Sequence, residues 1–569
     1  MAFVIILGTM LIFTSPQYQK FYTEKILKKE YKPAKKKIQK EVTKESKVEY
    51  DKKEKEKEDV IVSNDTIGDS SNTVREEYDT VWMENKKIRV GISEEGAIIT
   101  NIIMKEYKET GKNNERKIEL IPSGDGGGSQ LIIGNTRYDK KKFNYTGIGK
   151  NVFADKERKQ ISFEYDNEKG EKVVKSYSID TDGYKIVVKI EKNQLSGERI
   201  GFGWFCGIKE SEKQQQRNMY NKKTVHYYNN ESVEHLVLKK IAKEEPSGRY
   251  KWLGITSKYF FIAINQEKND DADLKIESFV ENRDKKNKQY NYKLEMSKIA
   301  DNNVETFFIY AGPTKRDELK KFNLKYEKIM FPVLGYGKIF FWSEKWFPWL
   351  AEMVLTLLIG IQKIFKDWGV SILILTIITK IITFPMTMSS MKSMEKMKNI
   401  QPKVNKIRTK HKNNPQKMNE EIMALYKKEG VNPLNPGCLP MFLQMPVFIS
   451  LFVVLRKSIE IRGATTSLIP WISDLSQAEV LFSLDKILPN GIPMYGSNVA
   501  LLPIINAVLT FFSQKMTIKD PNQKAMIYFM PLFMLVIFNS FSSGLVLYWT
   551  FQSALQLLQQ LLINKKNKE

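Results

Sequence analysis

A lysine inside a long apolar run is the feature of this sequence that most constrains its fold. Residues 368–385, WGVSILILTIITKIITFP, are apolar enough to cross a bilayer, yet Lys380 lies among them. An ammonium near the middle of a membrane helix costs about 2.5 to 3.5 kcal/mol on insertion scales. The fold must therefore solvate this charge inside a helical bundle or let the side chain reach the membrane interface.

Further apolar segments follow this run and predict a helical membrane bundle. They lie at residues 438–455, 498–516 and 526–563, and the last is about twice the length of one span of about 20 residues. The NSFSSG sequence within it is a natural turn between two helices. Together with the lysine-containing run, these segments predict five spans within residues 367–563, followed by a basic tail at 564–569.

The N-terminal region has a different composition. Residues 1–24 begin with a mostly apolar run, AFVIILGTMLIFT, which predicts a membrane anchor. A cleaved signal peptide is the alternative, but no basic stretch precedes the run and no A-x-A-like site follows it. Residues 25–77 form a Lys/Glu-rich tract with too little apolar content for a core, which predicts a disordered tether.

Short runs of alternating apolar and polar residues recur from residue 81 to residue 312. Examples are KKIRVGIS, QISFEYD, YKIVVKIE and ETFFIYAGP. Period-two patterning at this density predicts a large antiparallel β-sandwich. The helical spacing of KRDELKKFNLKYEK, residues 315–328, predicts a helix that leads back to the membrane. The predicted domain therefore covers residues 78–328.

Residues 338–366 have the pattern of an amphipathic helix, which can lie in the membrane surface or cross it. Residues 389–435 carry eleven Lys/Arg against four Asp/Glu, whereas residues 458–497 have only Arg462 and Lys486 as basic residues. Basic loops stay in the cytoplasm. Six spans satisfy this rule only if residues 338–366 lie at the surface, which places both termini in the cytoplasm and the sandwich outside.

Polar side chains recur at helical spacing on several predicted spans. Lys380 shares a helix face with Thr376 and Thr383. If these faces converge, they enclose a hydrated groove that solvates the ammonium. The alternative is snorkelling, since Lys380 lies about 7 to 8 Å from Pro385 along a helix. The predicted groove residues are Lys380, Thr376, Thr383, Gln444, Asn506, Thr510, Tyr548 and Gln552.

The basic loop predicts an antiparallel helical hairpin at residues 389–432. Its two helix-patterned stretches are separated by NNP at 413–415. Methionine side chains make adaptable contacts with varied apolar partners, although here they could also hold the two helices together. The predicted substrate-contact residues of the hairpin are Met391, Met394, Met397, Met418 and Met423.

Composition and spacing exclude several other functions. The net charge of +24 is not accompanied by a helix-turn-helix, zinc-finger or RNA-binding pattern, so sequence-specific nucleic-acid binding is not expected. Cys206 and Cys438 fall on opposite sides of the predicted membrane and are not expected to pair. The sequence offers no metal-ligand spacing and no catalytic constellation, so we expect neither a metal, a cofactor nor an enzyme.

Several motifs in the second half resemble the YidC/Oxa/Alb family of membrane-protein insertases. They are DWGVSILILTIITKIITFPMT, SMEKMKNIQPK, LYKKEGVNPLNPGCLPMFLQMPVFISLF, IEIRGA, WISDLS and SGLVLYWTFQSALQLLQQ, in an order and spacing that cover residues 368–560. ENKKIRVGISEEGAIITNIIMKEYKE and WLGITSKYFFIAI resemble the periplasmic domain of family members from bacteria with two membranes.

The resemblance implies an all-β periplasmic sandwich, a five-helix core with a hydrophilic groove, and an inner-membrane insertase for nascent membrane proteins. The bilayer is a partner, and a Sec translocon and the ribosome are further candidate partners. The family usually carries an arginine at the position of Lys380, so the bidentate fork is lost here while the charge is kept. NPLNPGC also departs from a common Gly-Gly before the cysteine. A secondary transporter or channel with a buried lysine is the alternative function.

Overall fold

The computed structural model describes residues 80–109, 115–122, 127–167, 170–212, 223–237, 242–246, 249–267, 272–282, 289–330, 346–430, 438–484, 495, 498–518 and 524–566. These residues belong to the compact unit Glu77–Glu569. The predicted anchor at 1–24 and tether at 25–77 lie outside the described residues.

The first part of this unit is built from β-strands. The strands are β1 (Thr80–Glu84), β2 (Ile88–Ser93), β3 (Ile98–Lys108), β4 (Lys117–Glu119), β5 (Gly128–Ile133), β6 (Thr136–Arg137), β7 (Asn144–Tyr145), β8 (Asn151–Phe153), β9 (Lys159–Asp166), β10 (Lys172–Ile179), β11 (Lys185–Lys192), β12 (Arg199–Trp204), β13 (Thr224–Tyr228), β14 (Val233–Leu236), β15 (Lys243–Glu244), β16 (Trp252–Thr256), β17 (Phe260–Gln266), β18 (Asp273–Asn282), β19 (Gln289–Ile299) and β20 (Val304–Pro313).

The strands form two sheets that pack face to face as a sandwich. The first sheet has the order β15-β18-β19-β12-β5-β3-β2-β1-β8, with β4 on β3 and β6 on β5. The second has the order β14-β13-β16-β17-β20-β11-β10-β9-β7. Phe202 of β12 stacks on Phe307 of β20 at 4.6 Å between ring centroids, which joins the two inner faces. The predicted β-sandwich is therefore confirmed.

A fully buried lysine links the two sheets. Lys175 lies on β10 of the second sheet, and its Nζ donates to the carbonyl oxygens of Ala97, at 2.8 Å, and Ser129, at 2.5 Å. Buried polar groups need such partners because an unsatisfied one costs about 1 to 3 kcal/mol. The alternating pattern of β10 does not predict that a lysine is buried at this inward position.

The helix predicted at residues 315–328 is shorter than expected. It is a single turn, α1 (Arg316–Lys320), and a 3₁₀ turn at Tyr326–Ile329 follows. Between them, Asn323 and Lys325 adopt left-handed backbone conformations with φ of 53° and 57°, which interrupt a right-handed helix. This kink lets Tyr326 enter the sandwich core, where its ring packs on Trp252.

The second part of the unit is helical. Its helices are α2 (Trp346–Phe365), α3 (Trp368–Lys410), α4 (Pro415–Lys428), α5 (Cys438–Lys457), α6 (Leu501–Thr517), α7 (Lys524–Phe538) and α8 (Ser543–Lys566). A short hairpin of β21 (Phe482–Ser483) and β22 (Asn498–Val499) precedes α6. By length and composition, two described helical segments could cross a membrane, Pro348–Phe365 and Trp368–Pro385; Leu501–Met516 and Ala525–Phe538 are apolar but shorter.

Two helices in this region continue past predicted domain boundaries. Helix α3 continues through the predicted start of the hairpin at 389 and ends at Lys410, despite Pro385 and Pro402 inside it. Helix α8 runs three residues into the predicted tail and ends at Lys566. Helix α3 is therefore continuous from the apolar run into the basic hairpin.

Asp367 fixes the start of α3. Its carboxylate accepts from Val370 N at 3.0 Å as the N-cap, and from Ser467 N and Thr466 Oγ1 in the loop after α5 at 2.6 and 2.9 Å. Burial alone would raise the pKa of Asp367, but these hydrogen bonds hold that pKa at about 2. The loop after α5 is thereby attached to the first turn of α3.

The same loop covers the first turns of two other helices. Glu479 accepts from Leu502 N of α6 at 2.9 Å, and the Gln477 carbonyl accepts from Ser543 N of α8 at 2.7 Å. Helix N-termini leave backbone donors without intrahelical partners, so these contacts satisfy groups that would otherwise need water. The loop aligns the beginnings of α3, α6 and α8 at one level.

A buried ion pair joins this loop to the sandwich. Arg462 Nε donates to Glu212 at 2.6 Å, and Arg462 Nη2 donates to the Lys108 carbonyl at 2.8 Å. Gln477 Nε2 donates to the second oxygen of Glu212 at 2.8 Å. The side chains of Arg462 and Glu212 are only 8% and 2% exposed, so this contact fixes the sandwich on the helical part.

Removal of this buried cation should destabilise the unit strongly. We expect Arg462→Ala to lower the free energy of unfolding by about 3 to 5 kcal/mol, because Glu212 would be left buried without its partner. Arg199→Ala is the control, since its pair with Asp273 is exposed and worth about 0 to 1 kcal/mol. Guanidinium unfolding of the detergent-solubilised chain measures both, and equal losses in the two variants would contradict this role for Arg462.

Candidate functional site

Lys380 lies at the contact between α3 and α8. Its Nζ donates a hydrogen bond to Oε1 of Gln556, and its side chain is half-buried. The sequence of α5, α6, α7 and α8, and of α3 up to residue 388, contains no Asp or Glu. The ammonium therefore has a neutral amide, not a carboxylate, as its acceptor inside the bundle.

Gln556 is a site residue that sequence reasoning did not assign to Lys380. The signal was present, because Tyr548, Gln552, Gln556 and Gln559 recur at helical spacing along α8. Spacing alone shows that these side chains share a face, but it cannot tell which neighbouring helix that face meets.

A second polar contact joins α5 to α8. Gln444 Nε2 donates to the Tyr548 hydroxyl at 3.1 Å, and Gln552 Nε2 donates to Gln444 Oε1 at 3.0 Å. The structure thus brings three of the predicted groove residues into one hydrogen-bonded chain. With the Lys380–Gln556 contact, they form a polar seam, defined here as Lys380, Gln444, Tyr548, Gln552 and Gln556.

The two predicted threonines flank Lys380 but bond to their own helix. Thr376 Oγ1 donates to the Ile372 carbonyl at 2.6 Å, and Thr383 Oγ1 donates to the Thr379 carbonyl at 2.9 Å. Both side chains are buried. Their hydroxyl oxygens keep acceptor capacity, so they add polarity beside the ammonium while their protons are engaged.

Asn506 and Thr510 lie on α6. Asn506 Nδ2 donates to Ser553 Oγ of α8 at 3.1 Å, and one turn further Thr510 is half-buried. Ser513 of α6 continues this row with a 3.0 Å hydrogen bond to Gln560. Ser553 lies three residues before Gln556 on α8, so Asn506 bonds to α8 one turn from the lysine contact and does not bond to Lys380 itself. Convergence of all the polar faces on the ammonium stays a prediction.

Several amide oxygens along α8 and α6 are buried without a hydrogen-bond partner among the described residues. They include Oε1 of Gln552, Oε1 of Gln559 and Oδ1 of Asn506. A buried acceptor without a partner is unstable in a dry core. Gln552 in the seam, and Gln559 and Asn506 near it, therefore have spare capacity for a donor such as water or a peptide group.

The helix face beside the seam is apolar and uncovered. Ile381 and Ile382 follow Lys380 directly and are 68% and 71% exposed, and Phe384 is 48% exposed. Side chains of this kind at the surface of a membrane helix face lipid hydrocarbon. Lys380 thus lies between the polar seam and an exposed apolar surface.

The hairpin of α3 and α4 is held by branched apolar residues and ion pairs. Ile400, Val404 and Ile422 are buried, and Lys403 pairs with Glu429 at 2.7 Å. Met423, in contrast, is 55% exposed. About half of Met423 is therefore accessible to an apolar partner.

The other predicted hairpin methionines differ in what can be said of them. Met397 and Met418 are half-buried. The side chains of Met391 and Met394 lie outside the described residues. No cluster of His, Cys, Asp or Glu that could hold a metal occurs in the part of the chain that the structure describes.

Comparisons with known proteins identify the family. The model of the 60Kd inner membrane protein family matches residues 360–569, and that of the YidC periplasmic domain matches residues 80–356. A membrane protein insertase YidC from Endomicrobium trichonymphae is 31% identical over 418 residues, covering 72% of this chain and 75% of its own length. This chain belongs to the YidC family. The YidC family is a family of insertases and is not a class of enzymes.

Other YidC relatives match over most of the chain. The membrane protein insertase YidC of Chlorobium phaeovibrioides is 28% identical over 524 residues, covering 90% of this chain and 87% of its own. Among solved structures, an active YidC insertase with its first transmembrane domain resolved is 17% identical, with a TM-score of 0.36 over 84% of this chain and 92% of that one.

The middle of the seam should contribute to stability through Gln444. We expect Gln444→Leu to lower the free energy of unfolding by about 1 to 3 kcal/mol, because the Tyr548 hydroxyl and the Gln552 amide would lose their partner. The double variant Gln444→Leu/Tyr548→Phe should recover part of this loss, since fewer polar groups stay unsatisfied. Denaturant unfolding measures this coupling, and strictly additive losses would contradict the hydrogen-bonded chain.

Proposed function

We propose that this chain inserts hydrophobic segments of nascent membrane proteins into the bilayer by way of the polar seam. The observation that carries the proposal is a cation, Lys380, that has no acidic partner among the described residues and lies between polar and lipid-facing surfaces. Lys380 offers an attraction for acidic residues in the client flank that has to cross. The apolar segment of the client needs only to contact the exposed apolar surface of Ile381 and Ile382 as it enters the lipid.

The steps need no nucleotide. An emerging apolar segment first contacts Met423 and the other hairpin methionines, whose flexible side chains fit varied shapes. The polar flank then enters the seam, where amides of Gln444, Gln552 and Gln556 replace water as hydrogen-bond partners. The apolar segment moves into lipid, driven by about 25 cal/mol for each Å² of apolar surface removed from water.

The proposal includes six spans in a bacterial inner membrane, with both termini in the cytoplasm and the sandwich in the periplasm. Helix α2 is long and apolar enough to cross a membrane, but we place it in the membrane surface. Arg316 of α1 pairs with Glu352 and donates to Thr356 Oγ1 at 2.8 Å. These two residues lie in the middle of α2, and a domain outside the bilayer could not reach them there if α2 crossed.

The hairpin, residues 389–432, would then face the ribosome, and the sandwich would be the surface available to a Sec translocon. The alternative of a transporter or channel gains no support from the comparisons. A transporter built on this seam would move a solute through proteoliposomes, whereas an insertase requires contact between the seam and the client chain.

Charge reversal at Lys380 tests the proposal. We expect Lys380→Glu to slow insertion of a client with an acidic flank roughly tenfold. Two charges about 4 Å apart interact by about 4 kcal/mol at an effective dielectric of about 20, and a third of this energy, added to the barrier, slows a step about tenfold. Lys380→Arg should stay close to the parent chain, since the charge is kept. Insertion into proteoliposomes, scored by protease protection of the flank, measures the rates.

The matched control uses a client in which the flank aspartates are replaced by asparagines. Its insertion should respond less to Lys380→Glu than that of the acidic client. Equal insertion of the acidic client by the parent chain and by Lys380→Glu would remove Lys380 from the mechanism.

A further inference from the structure

The seam contains its own hydrogen-bond acceptor, Gln556, for the Lys380 ammonium that would attract an acidic client flank. In the absence of a client, Gln556 Oε1 accepts the hydrogen bond of Lys380. A carboxylate is a better acceptor for an ammonium than an amide, because the attraction between two opposite charges is added to the hydrogen bond. The amide of Gln556 can therefore hold Lys380 and still be displaced by an aspartate or glutamate.

The neighbours of Gln556 offer it a second position. Gln552 and Gln559 lie four residues before and three residues after it, on the same helix face. The Oε1 atoms of both are buried without a partner among the described residues, while their Nε2 atoms donate to Gln444 Oε1 and to Met388 Sδ, respectively. A released Gln556 amide could donate its N–H groups to either of these oxygens.

We propose that Gln556 is an internal substitute for the client carboxylate, and that its displacement sets how strongly insertion depends on acidic residues in the client flank. Gln556 is a positioning residue that acts through Lys380. This inference rests on the proposed function and specifies its selectivity. While Gln556 accepts the hydrogen bond of Lys380, a neutral flank finds an ammonium that already has a partner. An acidic flank gains only the difference in interaction free energy with Lys380 between its carboxylate and the Gln556 amide.

The measured quantity is the ratio of the insertion rates of the acidic client and its asparagine counterpart, for the full chain in proteoliposomes. Gln556→Leu removes the competitor, and we expect the ratio to rise about threefold. Gln556→Glu places a permanent carboxylate on Lys380, and we expect the ratio to fall to about one. A merely structural role would slow both clients together and leave the ratio unchanged.

Gln559→Glu is the matched control, because it adds the same charge one turn away, where the side chain contacts Met388. It should change the ratio less than Gln556→Glu does. If Gln556→Leu does not fold, Gln556→Glu, which keeps the length of the side chain, still decides the question. A ratio that stays at the parent value in Gln556→Glu would overturn the inference.

Lys380→Gln separates this inference from the proposed function. A ratio of about one in Lys380→Gln, together with unchanged ratios in the Gln556 variants, would reject the role of Gln556 and leave that of Lys380 intact. A parent-like ratio in Lys380→Gln would reject both.

Discussion

The hydrogen bond between the Lys380 ammonium and the Gln556 amide is the contact on which the rest of the helical part depends. A cation without a carboxylate nearby is unfavourable in hydrocarbon, and the chain offsets the cost with amides and hydroxyls from α3, α5 and α8. A carboxylate at Gln556 would stabilise the lysine further. It would also remove the attraction that an incoming acidic flank needs, so a weak internal acceptor suits a site that must exchange partners.

The periplasmic part gives this seam a fixed frame. The loop after α5 caps the first turns of α3, α6 and α8 and reaches the sandwich through the Arg462–Glu212 pair. The hairpin lies at the far end of α3 from this loop, because α3 runs unbroken from Trp368 to Lys410.

Much of this architecture follows from local patterns in the sequence. Period-two alternation predicts the sandwich, and the polar stripe of α8 predicts the polar face that meets Lys380 and Gln444, because both arise from which side of one element is buried. Contacts between distant segments do not follow in this way. Glu212 and Arg462 are 250 positions apart, and although Arg462 is one of two basic residues in its loop, nothing in the sequence assigns Glu212 as its partner.

Other features could not be predicted from the sequence for related reasons. Lys175 occupies an inward position on β10 that only the carbonyls of the opposite sheet make tolerable. Asn506 has the spacing of a groove residue, but spacing does not reveal that its amide donates to Ser553 of α8. The left-handed residues at Asn323 and Lys325 end a helix whose side-chain pattern continues.

Water access to the seam is the claim that a single measurement tests most directly. In a chain with Cys206 and Cys438 replaced by alanine, Gln552→Cys would be exposed to a membrane-impermeant maleimide added to either face of sealed vesicles, with Ile382→Cys as the lipid-facing control. We predict labelling of Gln552→Cys from the cytoplasmic face, well above that of Ile382→Cys. Labelling at the rate of Ile382→Cys, or from the opposite face alone, would contradict a seam that is hydrated from the cytoplasm.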